Sequence, residues 1–261
     1  MFLKFFILSF ALWQASALQG GTLAAIGAFP SFVAVFVPTG TTICGGVVIN
    51  SNHVLTLSSC LLSSNNQLLF ANQVTVMSGH NQIDFNRPRI TAQALYVNPQ
   101  FNPFTLENDV GVVRLITSFI FPEIANPSLA PGIISNRIAH DTLNCNIAAW
   151  NRNNNQQQTL ILPILNRDQC NELPVNFGNI RESSFCAGTV TSGSGVCNHN
   201  IGAILYCNGM IEGILNSGYG CGAANNPGIY VSARHHNAWI QDQLRRQDIP
   251  AGNSFPLERL P

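Results

Sequence analysis

Eight cysteines, six histidines and few charges make up the reactive inventory of this 261-residue chain. The cysteines are Cys44, Cys60, Cys145, Cys170, Cys186, Cys197, Cys207 and Cys221. None forms a close CxxC pair, which argues against zinc fingers and zinc ribbons. Their even number suits disulfides, and eight cysteines allow on the order of a hundred pairings, so spacing alone gives bridges without connectivity. The histidines, His53, His80, His140, His199, His235 and His236, show no cluster with acids. No metal site and no cofactor is therefore expected. Lys+Arg and Asp+Glu both count 12, so the excess that a nucleic-acid-binding face would leave is missing.

The compartment is read from the first residues. Met1-Phe2-Leu3-Lys4 is a short positive start, Phe5 to Leu12 an apolar run, and Ala15-Ser16-Ala17 a small-x-small cleavage site. Residues 1–17 read as a secretory signal peptide, with Leu18 as the mature N-terminus. The apolar run falls short of the roughly 20 residues a membrane span needs, and no later stretch is long enough. An oxidising destination fits the cysteine count. The expected location is secreted and extracellular.

The elements that must hold any site are strands. Short apolar or alternating runs recur between Gly, Asn, Ser and Pro. They include Ser31–Val37, Gly45–Ile49, Val74–Met77, Val110–Leu115, Asn144–Trp150, Gly202–Tyr206 and Met210–Leu215. Helical periodicity is almost absent until His235 to Arg246, where Ala238, Trp239, Ile240 and Leu244 outline a short helix. Phe121 to Asn136, with Pro122, Pro127 and Pro131, reads as a crossing between two β units. Asn151 to Gln158 is a low-complexity patch, read as a solvated loop. The composition and patterning give an all-β protein with a C-terminal helix.

Several ordered motifs carry a resemblance. Cys44-Gly45-Gly46-Val47-Val48-Ile49-Asn50, followed by Val54-Leu55-Thr56-Leu57-Ser58-Ser59-Cys60, resembles the trypsin/chymotrypsin family of secreted serine proteases. The likeness resumes at Asn108-Asp109-Val110, at Cys145 to Trp150 and at Cys197 to Cys207. It continues from Gly218-Tyr219-Gly220-Cys221 to Asn226-Pro227-Gly228-Ile229-Tyr230, and ends at Asn237-Ala238-Trp239-Ile240. It implies two packed six-stranded antiparallel β-barrels with a C-terminal helix. It divides the chain into an N-terminal barrel over 18–130 and a C-terminal barrel with helix over 131–246. Together these form one peptidase S1-like domain, 18–246, followed by a tail, 247–261. The resemblance also implies bridges Cys44–Cys60, Cys145–Cys207, Cys170–Cys186 and Cys197–Cys221.

Residue by residue, the family's machinery is altered. Hydrolysis of this kind needs a hydroxyl nucleophile, a histidine to take its proton and a carboxylate to orient the histidine. The resemblance places Ser59 at the histidine position, Asp109 at the carboxylate and Ile201 at the nucleophile. Ser59 cannot serve as a base near neutral pH, and Ile201 has no attacking atom. The oxyanion positions fall on His199 and Ile201; a glycine at the first would take a backbone orientation that a β-carbon resists. The activation pocket falls on Leu18 and on Asn200, which stands where an aspartate receives the freed ammonium. Burying an ammonium without a charged partner is costly, so Leu18 is expected either to stay outside or to be accepted by the Asn200 carbonyl. The specificity pocket falls on Gly195, Gly218 and Gly228, with no acidic floor.

The resulting expectation is a catalytically inactive homologue, not an enzyme. It would act by binding extracellular proteins, active serine proteases or their targets among them, as regulator, cofactor or decoy in a protease cascade or innate immunity. Two alternatives stand beside it: a weakly active endopeptidase with a non-standard site, and a module for glycans or microbial surfaces. Loops near Asn81 to Pro88 and Asn151 to Gln158 are candidate recognition surfaces.

Overall fold

A computed structural model describes residues 18–38, 43–121, 129–137, 143–173 and 180–246. The signal peptide and the tail expected from the sequence lie outside the described residues. Two short strands open the described chain, β1 (Leu18–Gln19) and β2 (Thr22–Leu23). Six strands follow: β3 (Phe32–Phe36), β4 (Ile43–Val48), β5 (His53–Thr56), β6 (Thr75–Met77), β7 (Ile90–Val97) and β8 (Gly111–Leu115). They close on themselves in the order β3-β4-β5-β8-β7-β6, every pairing antiparallel. Closure leaves no strand edge unpaired, and β-branched residues such as Val33, Val35, Val47 and Val54 fill the interior without exposure.

The second half adds β9 (Asn144–Trp150), β10 (Gln157–Leu165), β11 (Ser184–Ala187), the two-residue β12 (Gly195–Val196), β13 (Ile204–Cys207), β14 (Met210–Ser217) and β15 (Gly228–Ser232). The order β11-β15-β14-β13-β9-β10 returns to β11 through Ile164 opposite Ala187, a second closed six-stranded ring. The first two strands belong to this side of the molecule: β2 pairs with β10, and β1 with β12. A short helix α1 (Arg167–Asn171) is capped by Asn166, whose side chain accepts from the N–H groups of Asp168 and Gln169. The C-terminal helix α2 (Asn237–Arg245) buries Ile240 against the core.

The barrels share a core. Trp150 of β9 stacks on Phe32 of β3 at 5.1 Å and donates its indole N–H to the Val33 carbonyl at 3.2 Å. Ser31 and Tyr206 join hydroxyls at 3.0 Å across the same seam. The crossing segment is stitched to both sides: Gly132 N–H reaches the Val48 carbonyl, and Ser135 N–H the Ile211 carbonyl. All four bridges are present, Cys44–Cys60, Cys145–Cys207, Cys170–Cys186 and Cys197–Cys221. Of the sequence expectations, the strand Asn144–Trp150 is reproduced residue for residue, while the helix starts two residues late because His236 takes the cap position.

Candidate functional site

Ser59 opens a one-turn 3-10 helix, Ser59–Leu61, just after β5. The preceding Ser58 fixes that turn, donating its hydroxyl to the Val110 carbonyl at 2.7 Å and accepting the Asn98 N–H at 3.2 Å. Asp109, at the entry to β8, is thereby set under Ser59. The Ser59 N–H reaches Asp109 Oδ1 at 2.7 Å and its hydroxyl donates to Oδ2 at 2.7 Å. Asp109 has no exposed surface, and burial pushes its carboxyl up to about 6 against the pull of the Ser59 bonds. Both oxygens of the acid are thus engaged by one half-buried serine.

Ile201 is drawn to the same region by the first bridge. Cys60, next to Ser59, is bonded to Cys44, next to Gly45, and the Gly45 N–H points at the Ile201 carbonyl at 3.4 Å. A β-carbon on Gly45 would overlap the Gly202 carbonyl, and Gly202 itself has φ +86°, so both glycines are required for the approach. The Ile201 side chain is partly buried and packs against the core shared by the barrels. The structure joins Ser59 to Asp109 and seats Ile201 against Gly45.

His199 sits inside a 3-10 turn, Asn198–Asn200, and is not among the residues with positive φ. The strain anticipated for a β-carbon at this position is absent, because the turn is regular helical backbone. Its ring lies within 4.8 Å of the sulfurs of Cys197 and Cys221. Those sulfurs are bonded to each other and are not the thiolates that ligate zinc.

At the activation positions Leu18 is fully buried as part of the intact chain, and its backbone N–H goes to Gln158 Oε1 at 3.2 Å. The Asn200 carbonyl is spent on the Cys197 N–H at 2.8 Å, closing its own turn, and the Asn200 amide nitrogen is buried without a hydrogen-bond partner. The composition of Asn151 to Gln158 predicts a solvated loop that includes Gln158. The strand β10 in fact starts at Gln157, and both residues are buried, 3% and 8% exposed. The missed signal was the junction of the glutamines with the apolar run Leu160-Ile161-Leu162, which extends strand periodicity backward.

Two of the three glycines of the specificity pocket, Gly218 and Gly228, close on one residue, Val196. A β-carbon on Gly228 would come 2.7 Å from Val196 Cγ2, and one on Gly218 would come 3.2 Å from the same methyl. Val196 is 1% exposed and fills the space between the two walls. Gly195 is buried at the start of β12, where a β-carbon would meet Gly222 Cα at 2.9 Å. The rim is held by the Asn216 side-chain amide, which donates to the Leu106 carbonyl at 3.1 Å, and by an Arg181–Glu107 ion pair at 2.6 Å. Around it Phe104 and Tyr219 expose 90% and 50% of their surface.

The family model described as Trypsin matches residues 18–240. The chain is 28% identical over 233 residues to "Trypsin" from Sus scrofa, covering 86% of this chain and 94% of that protein. It is 29% identical over 256 residues to a "Trypsin" from Xenopus laevis, covering 93% and 99%. To "Serine protease 1" from Rattus norvegicus it is 29% identical over 213 residues, covering 79% and 82%. These findings overturn the expectation that the chain is not an enzyme. The family and the relatives are proteases by name, and nothing in the comparisons marks this chain as inactive.

Proposed function

Because this chain belongs to the trypsin family of serine proteases, we propose that it recognises extracellular polypeptides and acts by binding them, as regulator, cofactor or decoy in a protease cascade or in innate immunity. In this reading residues 1–17 direct secretion, and four disulfides fit an extracellular protein. No described helix is long and apolar enough to cross a membrane. Ser59, Asp109 and Ile201 take the triad positions, and His199 with Ile201 the oxyanion positions. Leu18 and Asn200 take the activation positions. Gly195, Gly218 and Gly228 surround the specificity pocket.

The Ser59–Asp109 pair carries the reading. A carboxylate that would orient an imidazole instead anchors the Ser59 turn through two bonds at 2.7 Å. Val196 between Gly218 and Gly228 adds support, since recognition then rests on the rim, where Phe104 and Tyr219 stand exposed. Affinity capture of the mature protein from native extracellular fluid, read by mass spectrometry, tests this. Intact serine proteases or their protein targets are expected; recovery of the protein without polypeptide partners would refute it.

A second reading, hydrolysis by a non-standard site, is favoured by the relatives named trypsin. Broad peptide and ester substrates, together with a phosphonate probe of serine hydrolases, separate the two. Turnover that co-purifies with the chain, with labelling in the cleft, would add hydrolysis to binding.

A further inference from the structure

The fold sets His199 beside two cysteines. Its ring nitrogen and the sulfurs of Cys197 and Cys221 all lie within 4.8 Å of one another. Cys197 takes the cap position of the 3-10 turn that carries His199, and Cys221 arrives from the loop between β14 and β15. Imidazole and two sulfurs are the donor set of a soft metal site, held back only by the bond between the sulfurs.

Both backbones are pinned without that bond. The Asn200 N–H reaches the Cys197 carbonyl at 2.9 Å, and the Asn200 side-chain oxygen accepts the Cys197 N–H at 2.8 Å. On the opposite segment the Gly222 carbonyl accepts the Gly193 N–H at 2.8 Å, and the Gly220 carbonyl the Ala223 N–H at 3.0 Å. A β-carbon on Gly218 would meet the Cys197 carbonyl at 2.9 Å, so the chain leading to Cys221 lies directly on the Cys197 backbone. Cys221 differs from the other seven cysteines in not being buried. It also takes φ +45°, a left-handed conformation that a side chain resists, between Gly220 and Gly222. Exposed bridges are the ones that thiols reach and exchange.

We propose that reduction of Cys197–Cys221 by a small thiol turns this cluster into a zinc site, with the two thiolates and His199 as ligands. The attacking thiolate bonds to Cys221 Sγ and releases Cys197 as a thiolate. A second thiol then frees Cys221, and the small thiols leave joined as their own disulfide. Zinc displaces the thiol protons as it binds. Tetrahedral zinc, with Zn–S of about 2.3 Å and Zn–N of about 2.0 Å, holds such atoms about 3.5–3.8 Å apart, inside the span already present. Three protein ligands leave the fourth position open to water or to a donor from a bound molecule. The other three bridges keep their cysteines buried and continue to staple both barrels. The site uses neither the Ser59–Asp109 pair nor the rim, so it does not rest on the reading given above.

The test is stepwise reduction of the mature protein by a monothiol, with alkylation and mass mapping of the freed cysteines, and cobalt(II) as the spectroscopic probe for the zinc position. Cys197 and Cys221 are expected to open first. The reduced protein should then take up one equivalent of cobalt(II), showing thiolate charge-transfer bands and tetrahedral absorption that zinc abolishes; the oxidised protein should take up none. His199→Ala should weaken zinc binding, read by competition with a chromophoric chelator, by at least about tenfold, a loss that even supporting groups of a metal site incur. His80→Ala should leave it unchanged, and His199→Gln replaces the alanine variant if that one fails to fold. Earlier opening of another bridge, uptake by the oxidised protein, no uptake by the reduced protein, or equal binding by native and His199 variants would each overturn the proposal. Near-ultraviolet circular dichroism follows the fold throughout: its loss on reduction, or in Cys197→Ser with Cys221→Ser, would overturn the proposal as well.

Discussion

A carboxyl group sealed at the centre of a cleft responds to pH in a direction set by how it is held. Asp109 titrates at about 6 in the fold, above its ordinary 3.8, because burial outweighs the bonds from Ser59 and Ser58. Between these values the folded chain holds the proton more tightly than the unfolded chain. Its contribution therefore favours the fold in acid and is lost as the pH rises through 6, a change of about 3 kcal/mol by pH 7. Asp109→Asn removes that dependence. Urea unfolding should show the variant gaining on the native protein from pH 4.5 to 7.5; a constant difference would contradict the assignment. His236 works in the opposite sense. Desolvation first, and the His235 charge second, lower it to about 4, so the unfolded chain takes the proton first and stability falls as the pH drops below about 6.5. The His236 ring contacts that of His235 edge-on at 4.9 Å. A proton-NMR titration should place the His236 midpoint near 4, with His235→Ala raising it.

At the scale of elements, the closest fit in the site is glycine against glycine. Gly45 of β4 and Gly202 before β13 touch where the two barrels meet, with no room for a β-carbon on either. Gly45→Ala should destabilise by about 1–3 kcal/mol or more through overpacking, measured by denaturant midpoint, and a neutral result would mean that the loop at Ile201 moves freely. Strands such as β3 and β9 were legible because their apolar runs match strand length and end at turn residues. The two-residue β1 and β12 carry no period to read, yet their pairing buries Leu18. Gln158 was misread for a related reason: its composition is that of a loop, and only long-range packing by Leu18 makes it a buried acceptor. That Val196 fills the pocket is set by Gly218 and Gly228 opposite it, since whether a valine lines or fills a pocket depends on its walls.

For the whole molecule, the family resemblance carried the two-barrel arrangement and the bridge pairing, which periodicity and spacing alone left open. The bridge Cys145–Cys207 closes a span of 62 residues. Replacing both cysteines by serine should cost about 2–5 kcal/mol and lower the melting temperature, read by calorimetry. Less legible was activity, because a missing side chain at a motif position describes the motif and not everything the fold can do. The rim around Phe104 and Tyr219, exposed beside the pocket, is where recognition of polypeptides is tested. A photo-crosslinking amino acid installed at Tyr219, in mature protein exposed to native extracellular fluid, reads this rim directly. We expect intact polypeptides joined at that position. An absence of polypeptide crosslinks would contradict recognition by binding at this rim.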